Sequence, residues 1–474
     1  MVQIFTRRGD GPPRLSGSAA VGGYASRQAD LGISGGGAGF DYSASSGYES
    51  SRGVSAIRPN DQFGLFNPDA DGYRRRFANL RFGYAPAPGH RIGINVVENR
   101  LDARFDSADF LPPTFAADAS GDYRTHLHTG LAALDYRGAL ASNWTTSVQL
   151  AHGRDDSRSG ATIESRFITH RDQATWQNLI RLDSAQNLVL AYEHRRDSVG
   201  GTVFAEGRER RNNGFVAGYS GTIGRGVLQA DLRRDANSRY GGVTTGRLGY
   251  AYEVVPGLKL RALAGSSFRA PTFNETDYPF YGIGNLKPER GRSVEIGASW
   301  QRNASSVVAT LYRNRVSNLI GYNPDPTGTE CPPGYFGCAA NIAKARLQGV
   351  TLAIGHRWQG IDFGLQADLL DATDDRGVRL ARRAAHQETL RVDYDAGAWS
   401  LGASLLDVGS RPDGNVVLGG YGLVNLRAVW RFAAQWRLEA KLLNAADHRV
   451  EPVRDYQGLG RQAWLGIRYD GRGL

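Results

Sequence analysis

Trp436-Arg437-Leu438-Glu439-Ala440-Lys441-Leu442 decides the fold, because every second residue is apolar and every residue between carries a charge. Side chains alternate across a β-strand, so this stretch has one apolar face and one charged face. A helix would scatter the same residues around its circumference. Working outward, Val424, Leu426, Ala428, Trp430 and Phe432 interleave with Asn425, Arg427, Val429 and Arg431. Trp399, Leu401, Ala403 and Leu405 interleave with Ser400, Gly402 and Ser404, and Leu228, Ala230 and Leu232 with Gln229, Asp231 and Arg233. About 22 segments of this kind can be traced, many of roughly 10 to 14 residues, which is long for a strand.

Composition agrees with an all-β chain. There are 61 glycines among 474 residues, 10% of residues are aromatic, and mean hydropathy is −0.41. No run of about 18 apolar residues exists, so no transmembrane helix is expected. The net charge of +10 comes with arginines scattered along the chain rather than clustered, so no nucleic-acid partner is expected. Met1-Val2-Gln3-Ile4-Phe5-Thr6-Arg7-Arg8 lacks the apolar core of a signal peptide. On that reading, either the chain is cytosolic or something precedes this start.

The connections separate into two sets. One set is tight, as in Val255-Pro256-Gly257, Arg302-Asn303-Ala304-Ser305 and Ala396-Gly397-Ala398. The other is long: 46–72, 100–122, 197–210, 267–291, 317–340, 374–386 and 447–461. In an up-and-down meander, odd and even connections lie at opposite ends. Short turns at one end and long loops at the other is the pattern of a transmembrane antiparallel up-and-down β-barrel. The polar faces would line a lumen and the apolar faces would meet outer-membrane lipid. Trp399, Trp430, Trp436 and Tyr469 suit an interfacial aromatic girdle.

The least generic stretch runs from Gly265 to Glu295 and joins two of these strands. It carries Ser266-Ser267-Phe268-Arg269-Ala270-Pro271-Thr272-Phe273-Asn274-Glu275, then Gly284-Asn285-Leu286-Lys287-Pro288-Glu289-Arg290. The two motifs in this order resemble the barrel signature of TonB-dependent outer-membrane receptors. Leu347-Gln348-Gly349-Val350, Leu442-Leu443-Asn444-Ala445-Ala446-Asp447 and Gly460-Arg461 are similar to further stations of that family. Thr351 stands where the family usually has Glu. The resemblance spans most of the chain and is nearest to the vitamin B12 (cobalamin) transporter group. Met1–Gly9 resembles the last strand of that group's plug. Residues 1–12 are therefore expected to be a remnant of the plug-to-barrel linker and 13–474 the barrel, with the N-terminal plug and TonB box absent.

The resemblance implies an outer-membrane receptor of a Gram-negative bacterium for a large scarce nutrient. Cobalamin is the expected cargo, with a ferric siderophore or a passive porin-like pore as alternatives. It also implies energy from the TonB–ExbB–ExbD complex through the plug. Cys331 and Cys338 share one outer loop, where an oxidising surface favours a disulfide; a metal pair would need further ligands nearby. Asp102, Asp106 and Asp109 could hold Ca²⁺, which takes six to eight oxygens, and Asp69 and Asp71 in the preceding loop could join them. Phe273, Tyr278, Phe280, Tyr281, Tyr335, Phe336 and Tyr456 could form an aromatic rim for a large flat ligand. Arg269-Ala270-Pro271 and Lys287-Pro288-Glu289-Arg290 read as punctuation that ends one strand and starts the next. No Ser-His-Asp order or phosphate loop stands out, so no enzyme is expected; Gly35-Gly36-Gly37 precedes no helix.

Overall fold

A computed structural model describes residues 8–471 except 112, 115, 326, 327, 336 and 343. Twenty-two strands form one sheet, from Arg14–Gly22 to Gln462–Asp470. Each strand pairs antiparallel with its neighbours in the chain. The first also pairs with the last, Ser16 opposite Asp470 and Gly22 opposite Trp464, which closes the barrel. Closure leaves no unpaired edge, the one way a sheet can sit in hydrocarbon.

Register assigns the faces. Leu248 lies opposite Ala264 and Ala230; Ile296 lies opposite Leu311, which lies opposite Val350. These positions point outward, and Leu248, Ile296 and Leu311 are 57%, 59% and 59% exposed. Exposure this large on apolar residues marks a lipid-facing belt. Near the short turns the belt ends in aromatics. Trp399 and Trp430 stack with centroids 5.4 Å apart, and Trp436 meets Tyr469 at 4.9 Å. Left-handed glycines such as Gly257 and Gly397 make those turns tight.

The opposite face lines the lumen with ion pairs. Arg91 joins Asp41, Arg171 joins Asp197, Arg233 joins Glu193 and Asp235, and Arg427 joins Asp393.

At the other end the strands run further than the sequence suggests. Phe40–Ser51, His90–Arg104 and Gln186–Gly200 continue into stretches expected to be loop. Arg124–Ala141 and Glu164–Arg181 each have 18 residues, against about 10 needed to cross the membrane. The excess stands above the lipid, where both faces can be polar and alternation fades. The long loops sit on this raised wall, and most buried apolar residues lie among them or at the strand ends beneath: Ile57, Val199, Phe204, Phe273 and Leu286.

A charge in the belt should cost far more than one in the lumen. Leu248→Arg is expected to destabilise the barrel by about 2–4 kcal/mol, and the lumen-facing Gln229→Arg by under about 1 kcal/mol. Unfolding by guanidinium in phospholipid vesicles measures both; equal losses would contradict the assigned faces.

Candidate functional site

The outer loops gather into two groups. The first is built around the 270–288 loop. Arg269 ends one strand and Glu289 begins the next, and the two are opposite partners. The Arg269 guanidinium donates to Glu289 (2.6 and 2.7 Å) and to Glu275 (3.0 and 3.1 Å), joining both halves of the family signature. Between them Phe273–Asp277 forms a single helical turn, α1. Thr272 and Glu275 make a reciprocal capping box: the Glu275 N–H donates to Thr272 Oγ1, and the Thr272 N–H donates to the Glu275 carboxylate. The Thr-x-x-Glu spacing was a signal for this turn, which the reading as a plain loop missed.

Neighbouring walls hold this turn from below. Phe273 is 9% exposed and packs with Val199 and Phe204, while the Arg210 guanidinium lies 5.0 Å over its ring. Arg210 also donates to the Pro271 carbonyl at 2.6 Å. Asp277 accepts from Arg239 at 2.8 Å and lies 3.4 Å from Arg208. Burial works to raise the Asp277 pKa, but the Thr276 hydroxyl and the Arg239 guanidinium outweigh it and hold it low.

The disulfide hairpin leans on the same loop. Cys331 and Cys338 are bonded, with Cα atoms 5.8 Å apart. Ile320–Asn323 pairs with Cys338–Asn341, and the Ala339 N–H donates to the Tyr281 carbonyl at 2.9 Å. Asn341 receives the Lys287 N–H at 2.8 Å and returns a bond to the Lys287 carbonyl at 2.9 Å.

The expected aromatic rim is divided by this arrangement. Phe273 is packed inward and is loop core. Tyr278 meets Phe204 edge-on at 6.3 Å, and Tyr281 is half-buried. Phe280, 72% exposed and left-handed in its backbone, meets Tyr335 edge-on at 6.1 Å. Phe336 lies outside the described residues. Tyr456 belongs to the second group, in the loop between Trp436–Leu443 and Gln462–Asp470, eight strands further round the ring from the 270–288 loop.

That second group joins the 52–72, 105–123, 409–420 and 444–461 loops. Tyr456 bridges Ile57, and the Gln457 N–H donates to the Ala56 carbonyl at 2.9 Å. Asp106, 8% exposed, accepts from the Ile57 N–H (2.9 Å) and Ser55 Oγ (3.0 Å) through one oxygen. Asp71 accepts from the Ala56 N–H at 2.6 Å. The other oxygens, Oδ1 of Asp71 and Oδ1 of Asp106, are buried with no hydrogen-bond partner among the described residues. Asp69, Asp71 and Asp106 bring carboxylate oxygens within 4.8 Å of one another. Burial, with Asp106 beside it, pushes the Asp71 pKa up to about 6.

Of the expected trio, the structure brings Asp106 together with Asp69 and Asp71, the two residues expected to join it, and leaves Asp102 and Asp109 apart. Asp102 lies on a strand 3.8 Å from His126, and Asp109 lies in a separate two-residue pairing with Asp118. Strand alternation points Asp102 away, whereas the loop after Arg104 folds Asp106 under the 52–72 loop. The donor set is all oxygen and leaves two buried lone-pair sites open, which fits a hard divalent cation such as Ca²⁺.

A family model described as "TonB dependent receptor-like, beta-barrel" matches residues 13–445. The chain belongs to the TonB-dependent receptor β-barrel family. Members of this family are outer-membrane barrels of Gram-negative bacteria, and the chain is a receptor barrel of that kind, not an enzyme. It is 30% identical over 311 residues to the vitamin B12 transporter BtuB of Photobacterium profundum, covering 63% of this chain and 50% of the relative. It is 24% identical over 342 residues to BtuB of Vibrio cholerae, covering 69% and 54%. The chain thus spans about half the length of the curated relatives it matches. Among solved structures, the siderophore receptor PirA of Acinetobacter baumannii superposes with a TM-score of 0.84 at 13% identity, over 98% of this chain and 81% of that one. The copper transporter OprC gives 0.81 at 13%, over 99% and 82%. At such identities the structures speak for the shared TonB-dependent receptor fold alone.

Arg269→Ala leaves two carboxylates facing each other without a cation. It is expected to lower the local stability of the 270–288 loop by about 2 kcal/mol, since removing one partner of a partly buried ion pair strands the other. Hydrogen exchange should then speed up in 270–288 and in the disulfide hairpin, with strand amides unchanged.

Proposed function

We propose that this chain is the barrel of a receptor for TonB-energised uptake of cobalamin across the outer membrane. The similarity to proteins named vitamin B12 transporters carries this reading. The energy source in this reading is the inner-membrane TonB–ExbB–ExbD complex acting through a plug. Cargo would meet the loop tips first, with Phe280 and Tyr335 on one side of the mouth and Tyr456 on another. A corrin-sized ligand is broad enough to touch separate loop groups at once.

Ca²⁺ is part of the proposal. Asp69, Asp71 and Asp106 would hold it, and it would supply the positive charge that this carboxylate cluster lacks. By linking Asp69 and Asp71 of the 52–72 loop to Asp106 of the next loop, it would hold both loops in a binding-ready arrangement. Less ordering would then remain to be done when cargo arrives.

The test is cyanocobalamin binding to the full-length receptor with Ca²⁺ and with a chelator. Binding with Ca²⁺ and at least about tenfold weaker binding without it is expected, since each tenfold is only about 1.4 kcal/mol of lost preorganisation. Capture of a ferric siderophore with no response to cyanocobalamin would overturn the cargo assignment. Asp71→Asn/Asp106→Asn should abolish the Ca²⁺ response while leaving the barrel folded.

The pH dependence has a definite sign. With its pKa pushed up to about 6, Asp71 in the folded state holds a proton that an unfolded carboxylate would have released near 3.8. Without a cation, the loop pair therefore loses stability as pH rises from about 4 to 6. A bound cation must displace that proton, so Ca²⁺ affinity is expected to fall as pH drops below about 6 and to level off above about 7. Isothermal titration across this range checks it; a flat profile would contradict the assignment of Asp71 as ligand.

A further inference from the structure

Arginines that are scattered in the sequence meet on the outside of the barrel. Arg292 lies directly opposite Arg315, and Arg315 directly opposite Arg346, so three like charges share one rung across three strands. Arg290 stands two residues above Arg292, and Arg313 one rung below on the middle strand. Like charges placed directly opposite one another destabilise a sheet.

All five point outward. Two residues along each strand separate successive positions on one face. Arg292, Val294 and Ile296 therefore share a face, as do Arg315, Arg313 and Leu311. Ile296 and Leu311 are the exposed belt residues already described, and Val294 is 55% exposed. The charged rung thus sits directly above lipid-facing hydrocarbon. Its height agrees. Eight residues separate Arg292 from Trp300 beside the inner turn, or about 20 Å along the membrane normal for a strand tilted by roughly 40°, near the top of an apolar band about 25 Å tall.

These cations lack the carboxylate partners that many arginines have elsewhere on the barrel wall. Among the described residues, Arg290, Arg292, Arg313 and Arg315 make no ion pair, and Arg346 has only Asp371 at 3.5 Å. On the lumen wall Arg91 and Arg233 are paired with carboxylates, and on the outer wall Arg166 is paired with Asp156 and Arg196 with Glu209. Asp374, at the rim of the same groove, already accepts from the Val378 and Arg376 N–H groups of its own turn. With Arg234 and Lys344 the arginines line a groove of about 1040 Å³, whose rim also carries Asp375.

We propose that this groove binds a phosphorylated glycolipid of the outer leaflet, its phosphates on the Arg292–Arg315–Arg346 rung and its acyl chains along Val294, Ile296 and Leu311. Guanidinium forks match phosphate oxygens in pairs, and the anion removes the repulsion within the rung. The apolar strip below supplies what a soluble phosphate cannot use. Position, sign of charge and adjoining hydrocarbon all select a lipid whose headgroup carries more than one phosphate.

The experiment uses the delipidated full-length receptor in detergent and hexa-acylated diphosphoryl lipid A, followed by native mass spectrometry. Wild type is expected to retain the lipid through buffer exchange. Arg292→Gln/Arg315→Gln/Arg346→Gln should bind at least about 30-fold more weakly, and the corresponding triple Lys variant should keep binding within about fivefold, because it keeps the charge but loses the fork. Folding is checked by the mobility of the unheated barrel on gels. Should the triple Gln variant fail to fold, Arg290→Gln/Arg313→Gln, outside the rung, carries the test, with an expected loss of about fivefold. Undiminished binding by whichever Gln variant folds would overturn the proposal. So would phosphatidylglycerol binding as tightly as lipid A, or displacement of the lipid by millimolar inorganic phosphate or by duplex DNA.

Discussion

A backbone crossing hydrocarbon must satisfy every N–H and C=O within itself, and here that requirement is met by pairing Arg14–Gly22 with Gln462–Asp470. Everything else depends on this closure. Once the first and last strands are joined, no strand can slip by one residue without carrying lumen-facing arginines into lipid and belt leucines into water. The register is therefore locked around the whole ring. It also fixes which side chains from distant parts of the chain come to share a face.

That explains what was legible in the sequence. Alternation such as Trp436–Leu442 reports a strand with unlike faces, and contrast in loop length reports which end is which. Both are local signals, and they yielded 22 strands and the right topology. They weakened where the environment stopped being two-sided. Above the membrane, outward-facing residues such as Arg196 and Ser198 are polar instead of apolar, so the strands outlast their pattern. The scattered arginines were read as dispersed for a related reason. Their clustering exists only across strands, between residues that register alone makes neighbours.

The loop site was partly legible. The paired motifs around 265–295 carried the family, and Arg269 with Glu289 is indeed the joint at the base of that loop. The aromatic rim was less legible because aromatic residues in a loop serve two ends. Phe273 holds α1 onto the wall, whereas Phe280 projects. Only the environment separates them: a buried position over Phe204 and under Arg210 in one case, an exposed left-handed tip in the other. Likewise, Asp69 and Asp71 were legible as companions of the 102–109 acids, but spacing could not single out Asp106 as the one that turns toward them.

Both loop groups use arginines, the second through Arg58 on Glu451 and buried Arg411 on the Pro452 and Gly419 carbonyls, but they treat their buried carboxylates differently. In the first, Arg269 sits between two glutamates, and α1 is capped, packed and pinned by Arg239 and Arg210. Most of its buried charges have an internal partner, so its shape depends little on what the medium supplies. In the second, three carboxylates converge with no arginine among them, and two buried oxygens have no donor. Burial of like charges is unfavourable unless a proton or a cation intervenes. The first group is therefore held by its own ion pairs and caps, whereas the carboxylate cluster of the second keeps a proton more readily, because burial pushes the Asp71 pKa up to about 6.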